Sequence, residues 1–393
     1  MVVEQGDATS KAEAARPSSS RRDPEATRRA LELWLGTTLA DGAAPEVLQV
    51  QVPEANGMSS ETVLLDARWN EDGQRREHEL VARIAPEGTS VPVFPRYDLA
   101  AQFRAMQLVR DLTEVPVPAV HWLELDEGHL GTQFFVMSRS QGLVPPDVMP
   151  YDFGDNWLYD AAPEQQRRLQ DTTVEVLAQL HAIEAAEDRF PFLAATAPDG
   201  TPAPGDTPLR RHVEAQRGYY HWVCSDGRPS PLIEACFDWL DEHWPEDEGP
   251  VVLSWGDSRI GNVMYQDFEP SAVLDWEMAG LASREVDLAW MIVIHRFFEE
   301  IATQMGLPGM PHFLRRDDVA STYESLTGHT PRDLDFHTMY AALRHGIVMS
   351  QVQRRAIHYG EAQMPDDVDD LIMHRAMLEA MLAGTYWDGV PTG

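Results

Sequence analysis

Leu253-Ser254-Trp255-Gly256-Asp257-Ser258-Arg259-Ile260-Gly261-Asn262-Val263-Met264-Tyr265, followed by Ala272-Val273-Leu274-Asp275-Trp276-Glu277, is the stretch on which the fold turns. Val263 to Tyr265 and Ala272 to Leu274 are short apolar runs on either side of a turn at Gln266 to Pro270, the pattern of a β-hairpin. Such a hairpin folds Asp275, thirteen residues after Asn262, back beside it. A carboxylate and an amide oxygen then converge on one cation. Oxygen ligands from one or two side chains, completed by water and phosphate, are what Mg²⁺ takes when it escorts a nucleotide. Asp257, five residues before Asn262, sits on a loop with its carboxylate free to accept a proton from a hydroxyl. Taken singly, Asp and Asn beside glycines are turn formers. The order in which the pieces follow one another carries the reading.

Upstream, helical and strand patterns alternate. Asp23-Pro24 reads as an N-cap with proline at the first helical position, opening an amphipathic helix with Ala30, Leu31, Trp34, Leu35 and Leu39 on one face. Leu48 to Val52, Glu61 to Trp69 and Glu77 to Ala85 are β-rich, the last two joined by the turn Asn70-Glu71-Asp72-Gly73, so an antiparallel meander is predicted. Tyr97 to Leu112 returns to helical spacing, Pro116-Val117-Pro118 breaks it, and Val120 to Leu125 and Gln133 to Ser138 are two further strands. Past Gln141-Gly142 long helices take over at Pro163 to Ile183, Pro208 to Val223 and Pro231 to His243. They resume from Glu285 to Trp387, with breaks near Pro308 to Pro311 and Gly328 to Pro331. The hairpin is the only β interruption expected there. This reading divides the chain into a polar tail at 1–22, a first domain at 23–140 and a second at 141–393, without internal repeats.

A hydrophobic content of 43% with 24% charged residues in 393 fits a globular protein large enough for two lobes. Asp and Glu number 64 against 31 Lys and Arg, a formal charge of −33. That field disfavours nucleic acid and anionic membrane as partners and favours cations, magnesium and a cationic small molecule among them. An acidic surface also serves solubility alone. Cys224 and Cys236 have no His or Cys companions at zinc spacing, so neither a disulfide framework nor a structural metal is expected. Val2 to Arg22 lacks an apolar core, and no run of about eighteen apolar residues follows, so a cytoplasmic protein, neither exported nor membrane-spanning, is expected.

Loop, hairpin and second carboxylate together resemble the catalytic loop and metal-binding hairpin of the aminoglycoside phosphotransferase family, distant relatives of protein kinases. The family's Asp, its Asn five residues on and the Asp closing its hairpin fall on Asp257, Asn262 and Asp275. Glu285-Val286-Asp287-Leu288-Ala289-Trp290 is similar to the family's helix start, whose buried Asp braces the catalytic loop. The resemblance takes in the meander, a hinge at Phe134-Phe135-Val136-Met137 and a helix end at Leu180-His181-Ala182, nearly the whole chain after about residue 25. It implies an α+β, protein-kinase-like bilobal fold, with a five-stranded antiparallel N-lobe sheet and a mainly helical C-lobe. It also implies ATP- and Mg²⁺-dependent transfer of the γ-phosphoryl group to a hydroxyl of a small molecule, with Asp257 as catalytic base and Asn262 and Asp275 as Mg²⁺ ligands.

On the nucleotide side the resemblance places Arg83 where such kinases carry a phosphate-gripping lysine, and Gln102 where they carry its glutamate partner. Arginine keeps the charge and adds a bidentate fork. The loop from Glu54 to Thr62, with Ser59 and Ser60, takes the position of the phosphate-covering loop, and Met137, Ser138 and Arg139 that of the segment offering backbone groups to adenine. Trp255 stands where His is common and supplies bulk behind the loop without an imidazole hydrogen bond. His181 reads as a satisfied core histidine, while His212, His221 and His295 lack metal-like spacing. Only eleven residues separate Asp275 from Asp287, too few for the peptide platform of a protein kinase. Two alternatives stay open. One is a non-catalytic, pseudokinase-like nucleotide-binding module, motivated by Trp255, Arg83 and Gln102. The other is a hydroxyacyl-CoA kinase, since the Arg83 strand followed by Pro86-Glu87-Gly88 resembles a branch associated with acyl-CoA metabolism. The acceptor's identity and the oligomeric state are not legible in the sequence.

Overall fold

The computed structural model describes residues 22–53, 60–86, 91–147 and 150–393. These fall into two compact units. The first holds the described residues up to Phe94 with Glu124–Val136 and Gln351–Asp366, and the second holds Pro95–Leu123, Met137–Ser350 and Asp367–Gly393.

In the first unit, Asp23 caps helix α1 (Pro24–Thr38) by accepting the Ala26 N–H at 2.7 Å, as its position before proline predicts. Leu31, Trp34 and Leu35 are buried with Thr27 along one stripe, while Ala30 and Leu39 are half-buried. Strands β1 (Glu46–Gln51), β2 (Glu61–Glu71) and β3 (Gln74–Ile84) form the antiparallel meander. Along β2 burial alternates strictly, with Glu61, Val63, Leu65, Ala67 and Trp69 turned inward. Asp72 and Gly73, both at positive φ, close β2 onto β3 in the two-residue turn whose twist matches that of paired strands. Helix α2 (Leu99–Leu112), which the division assigns to the second unit, precedes β4 (Val120–Glu124) and β5 (Phe134–Ser138), and the five-stranded sheet has the order β1-β2-β3-β5-β4.

The second unit is mainly helical: α3 (Pro163–His181), the single turn α4 (Ala186–Arg189), α5 (Pro208–Val223), α6 (Pro231–Glu242), α7 (Glu285–Gln304), α8 (Arg316–Thr327), α9 (Leu334–His358, as far as Ser350) and α10 (Arg375–Leu382). Its hairpin is β7 (Val263–Gln266) with β8 (Glu269–Val273), turning through Asp267 and Phe268, both at positive φ. The expectation of a single β interruption is corrected. β6 (Val252–Ser254) pairs antiparallel with β9 (Gly280–Ala282), Ser254 opposite Gly280, to make a second two-stranded sheet. Three-residue strands are too short to show a period-2 pattern, so nothing in the sequence marks them.

Tyr151, Asp152 and Phe153 pack into the interior of this unit, Asp152 fully enclosed. Among the described residues no N–H or hydroxyl of another residue reaches the Asp152 oxygens, which face the buried Glu299 carboxyl on α7. Burial first, and then the Glu299 charge, push Asp152 up to about 7, so the folded protein keeps a proton that the unfolded chain loses near pH 4. Stability from this pair is therefore greatest below pH 4 and declines until the folded group ionises near 7. Asp152→Asn supplies a permanent N–H donor to Glu299. Relative to the parent it should gain on the order of 2 kcal/mol in urea unfolding at pH 8 and almost nothing at pH 4; an equal effect at both pH values contradicts the shared proton.

Candidate active site

Asp287, in the first turn of α7, has no exposure to solvent. Its Oδ1 accepts from Ser254 Oγ at 2.7 Å and the Gly256 N–H at 2.9 Å; Oδ2 accepts from the Trp255 N–H at 2.8 Å and from His181 Nε2 at 3.2 Å. The Ser258 hydroxyl donates to the Asp287 carbonyl at 2.8 Å. One carboxylate thus ties the end of β6 and the loop after it to α7 and α3. Burial pushes its pKa up, but the His181 hydrogen bond and charge, with the Gly256 and Ser254 donors, outweigh it and hold the group below its ordinary value. Its Nδ1, on the other side of the ring, shares a 2.8 Å hydrogen bond with the Tyr323 hydroxyl. His181 is the satisfied core histidine expected, engaged in bracing the loop.

Trp255 is fully buried, and its indole N–H donates to the Leu274 carbonyl at 3.0 Å. The side chain supplies bulk behind the loop and also hydrogen-bonds the loop to the strand that leads into Asp275. Gly256 follows at φ +89°, and a Cβ there would stand 1.9 Å from the Met278 carbonyl oxygen, so no other residue fits.

On this frame the Asp257 carboxylate is held from both ends. Oδ1 accepts from the Trp290 indole N–H at 2.7 Å; Oδ2 accepts from Asn262 Nδ2 at 2.6 Å and Arg259 Nε at 3.2 Å. Asn262 Nδ2 also reaches the Asp257 carbonyl at 3.0 Å. With both of its N–H bonds turned to Asp257, the Asn262 amide leaves its oxygen for another partner. The Leu274 N–H donates to the Asn262 carbonyl at 2.8 Å, and the register pairs Val263 with Val273, so the hairpin brings Asp275 alongside Asn262. Asp275 itself sits in the left-handed region at φ +55°, a conformation Asp tolerates better than most residues. An amide oxygen and a carboxylate are hard donors that suit Mg²⁺. Among the described residues no three His, Cys, Asp or Glu cluster at metal-binding spacing; a cation here would complete its shell from water and phosphate.

Of the other sequence-predicted positions, Arg83 lies on β3 with Nη1 donating to Thr62 Oγ1 at 2.8 Å, and Ser60 is buried in the first unit. Ser59 lies outside the described residues, and Gln102 is buried on α2. At the end of β5, Met137 is buried and Ser138 and Arg139 are half-buried. The Ser138 N–H is engaged by the Ala119 carbonyl at 2.8 Å, and its hydroxyl by His121 Nε2 at 2.8 Å. Sequence reasoning missed Trp290 and Arg259. Trp290 follows Asp287 by three residues, which puts both on one side of α7. Behind it Arg344, fully buried on α9, lies 4.6 Å over the Trp290 ring and donates to the Gly256 carbonyl at 3.4 Å.

The model of the phosphotransferase enzyme family, APH, matches residues 53–309. The chain belongs to this family. Its fold is shared by a candidate aminoglycoside phosphotransferase from Ralstonia eutropha JMP134, at 20% identity and a TM-score of 0.62 over 92% of this chain and 98% of that one. It is shared also by a thermostable aminoglycoside phosphotransferase mutant in complex with ADP and hygromycin B, at 16% identity and a TM-score of 0.51 over 90% and 98%. A GDP complex of aminoglycoside 2'-phosphotransferase-IIIa is similar at 11% identity and a TM-score of 0.53 over 91% of this chain and 99% of that one. Among curated proteins, mouse acyl-CoA dehydrogenase family member 10 is 24% identical over 294 residues, 72% of this phosphotransferase chain and 25% of the relative. Human acyl-CoA dehydrogenase family member 11 is 25% identical over 264 residues, 66% of this chain and 30% of the relative. The chain therefore spans about a quarter to a third of these relatives' length.

Two outcomes follow from the brace. Asp287→Asn turns an N–H toward donors that need an acceptor, and should lower unfolding free energy at pH 7 by about 3 kcal/mol or more. Since the native carboxyl is held low, that stabilisation is present above about pH 4 and lost as pH falls through the lower folded value. The gap between variant and parent in denaturant melts should therefore narrow on acidification; a constant gap contradicts an ionised brace. Gly256→Ala should yield little folded protein, or one whose melting temperature is at least about 5 °C lower, because the clash is with backbone.

Proposed function

We propose that this phosphotransferase moves the γ-phosphoryl group of ATP, with Mg²⁺, to a hydroxyl of a small molecule. The observation that carries the reading is the Asp257 carboxylate, held in one orientation by Trp290, Asn262 and Arg259 while the hairpin sets Asn262 and Asp275 side by side. A carboxylate offers about four lone-pair positions, and three donors occupy Asp257, which leaves one direction open to an incoming hydroxyl. Asp257 therefore orients the hydroxyl and takes its proton as the bond to phosphorus forms, which suits the loose transition state of phosphoryl transfer.

Asn262 Oδ1 and Asp275 would hold Mg²⁺, whose charge, when bound, offsets that of the phosphates. Arg83 would contact phosphate, with Ser59 and Ser60 in the covering loop. The backbone of Met137, Ser138 and Arg139 would meet the base; with the Ser138 N–H already engaged, its carbonyl and the groups on either side are what it can offer. Nucleotide complexes of the similar structures support this side of the reading.

For the acceptor, the charge of −33 favours a cation, and a similar structure binds hygromycin B. A hydroxyacyl-CoA thioester is the second reading, favoured by the relatives' names as acyl-CoA dehydrogenase family members. No helix among the described residues is long and apolar enough to cross a membrane, which accords with a cytoplasmic enzyme.

ADP formation from Mg-ATP, followed with hygromycin B, other aminoglycosides and a series of hydroxyacyl-CoA thioesters, should find one acceptor whose product gains one phosphoryl group by mass spectrometry. Asp257→Ala should lower kcat at least about 10³-fold with nucleotide affinity kept, while Asn262→Ala and Asp275→Ala should raise the Mg²⁺ requirement. Tight Mg-ATP binding with no turnover above the Asp257→Ala background would point instead to a non-catalytic module.

A further inference from the structure

Arg259 joins two carboxylates. Nε donates to Asp257 Oδ2 at 3.2 Å and Nη1 to Asp147 Oδ2 at 2.5 Å, with all three side chains largely withdrawn from solvent. Asp147 comes from a different part of the chain, just past the segment that β5 leads into. It arrives there because that segment is pinned to the hairpin: Leu143 and Tyr265 exchange N–H···O bonds at 2.9 and 2.8 Å, and Ser271 Oγ donates to the Gln141 carbonyl at 2.8 Å.

Gly261 supplies an independent sign that the bridge is built. Its φ lies outside the left-handed region, so backbone freedom does not require glycine there. A Cβ at 261 would instead stand 2.5 Å from Arg259 Nη1 and 2.5 Å from Asp147 Oδ1. Any other residue makes one or both of those side-chain ends shift.

The geometry also says what Asp147 does. A guanidinium beside a lone carboxylate settles into the two-pronged arrangement that takes both oxygens. Asp147 draws Nη1 away, so that Nε alone reaches Asp257. We infer that Arg259, clamped by Asp147 over Gly261, is a positioning residue that sets the plane of the Asp257 carboxylate, and that Asp147 keeps the guanidinium from closing over the face the acceptor hydroxyl must approach. This rests on the phosphotransfer reading above.

The two ideas separate in a double-mutant cycle, read as ADP formation from Mg-ATP with the best acceptor of the panel and with water alone. Asp147→Ala should lower kcat about 100-fold through collapse of Arg259 onto Asp257, and Arg259→Gln about tenfold through loss of orientation, with KM for ATP changed less than about twofold in each. The double variant should be no slower than Arg259→Gln alone, recovering most of the loss caused by Asp147→Ala. Gly261→Ala should copy Asp147→Ala, and denaturant melts of all variants separate loss of fold from loss of rate. Multiplicative losses in the double variant, or an Arg259→Gln enzyme as fast as its parent, overturn the inference while Asp257→Ala remains inactive. A parent no faster than Asp257→Ala overturns the phosphotransfer reading and this inference with it.

Discussion

The buried carboxylate of Asp287 is the constraint on which the rest of the site depends. A charge withdrawn from water is costly unless every lone pair is met, and here four donors from two other parts of the chain meet it: Ser254, Trp255 and Gly256 from the strand and loop, His181 from the end of α3. Satisfying that group leaves little choice of path to the loop. The backbone must present two consecutive N–H groups to one side chain, which forces the turn at Gly256, and the next residue, Asp257, emerges in a set direction.

From that point the chemistry is a matter of which groups the turn can reach. Trp290, one helical turn beyond Asp287 on α7, sets its indole N–H against one oxygen of Asp257, while Asn262 and Arg259 hold the other. The helix that supplies the brace therefore also supplies a guide for the Asp257 carboxylate, so the two cannot drift apart. The hairpin is fastened in the same way, by the Trp255 indole on Leu274 and the Leu274 N–H on Asn262.

Much of the architecture was legible because it rests on local rules. The α1 cap at Asp23, the inward stripe Leu31, Trp34 and Leu35, the alternation along β2 and the turn at Asp72-Gly73 each follow from periodicity or from the conformational range of a few residues. The spacing of Asp257, Asn262 and Asp275 was legible for the same reason: a hairpin of known reach joins the last two. The β6–β9 pair was not, since three residues carry no period. Trp255 was read as bulk because a side chain's hydrogen-bond partner on a neighbouring strand leaves no mark in its own neighbourhood of sequence.

The sequence by itself determined the order and type of the longer elements, the family and the identity of the acidic and amide groups at the loop, because these depend on contacts within a few residues or on one short hairpin. Only the tertiary structure decided how those groups are held. The Asp147–Arg259 bridge spans 112 positions, the His181–Asp287 bond 106 and the Asp152–Glu299 pair 147. Burial at such separations is decided by which surfaces meet once the chain is folded. For that reason the loop's pattern was enough to suggest phosphoryl transfer, whereas the orientation of Asp257, on which the proposed transfer depends, is a property of the fold.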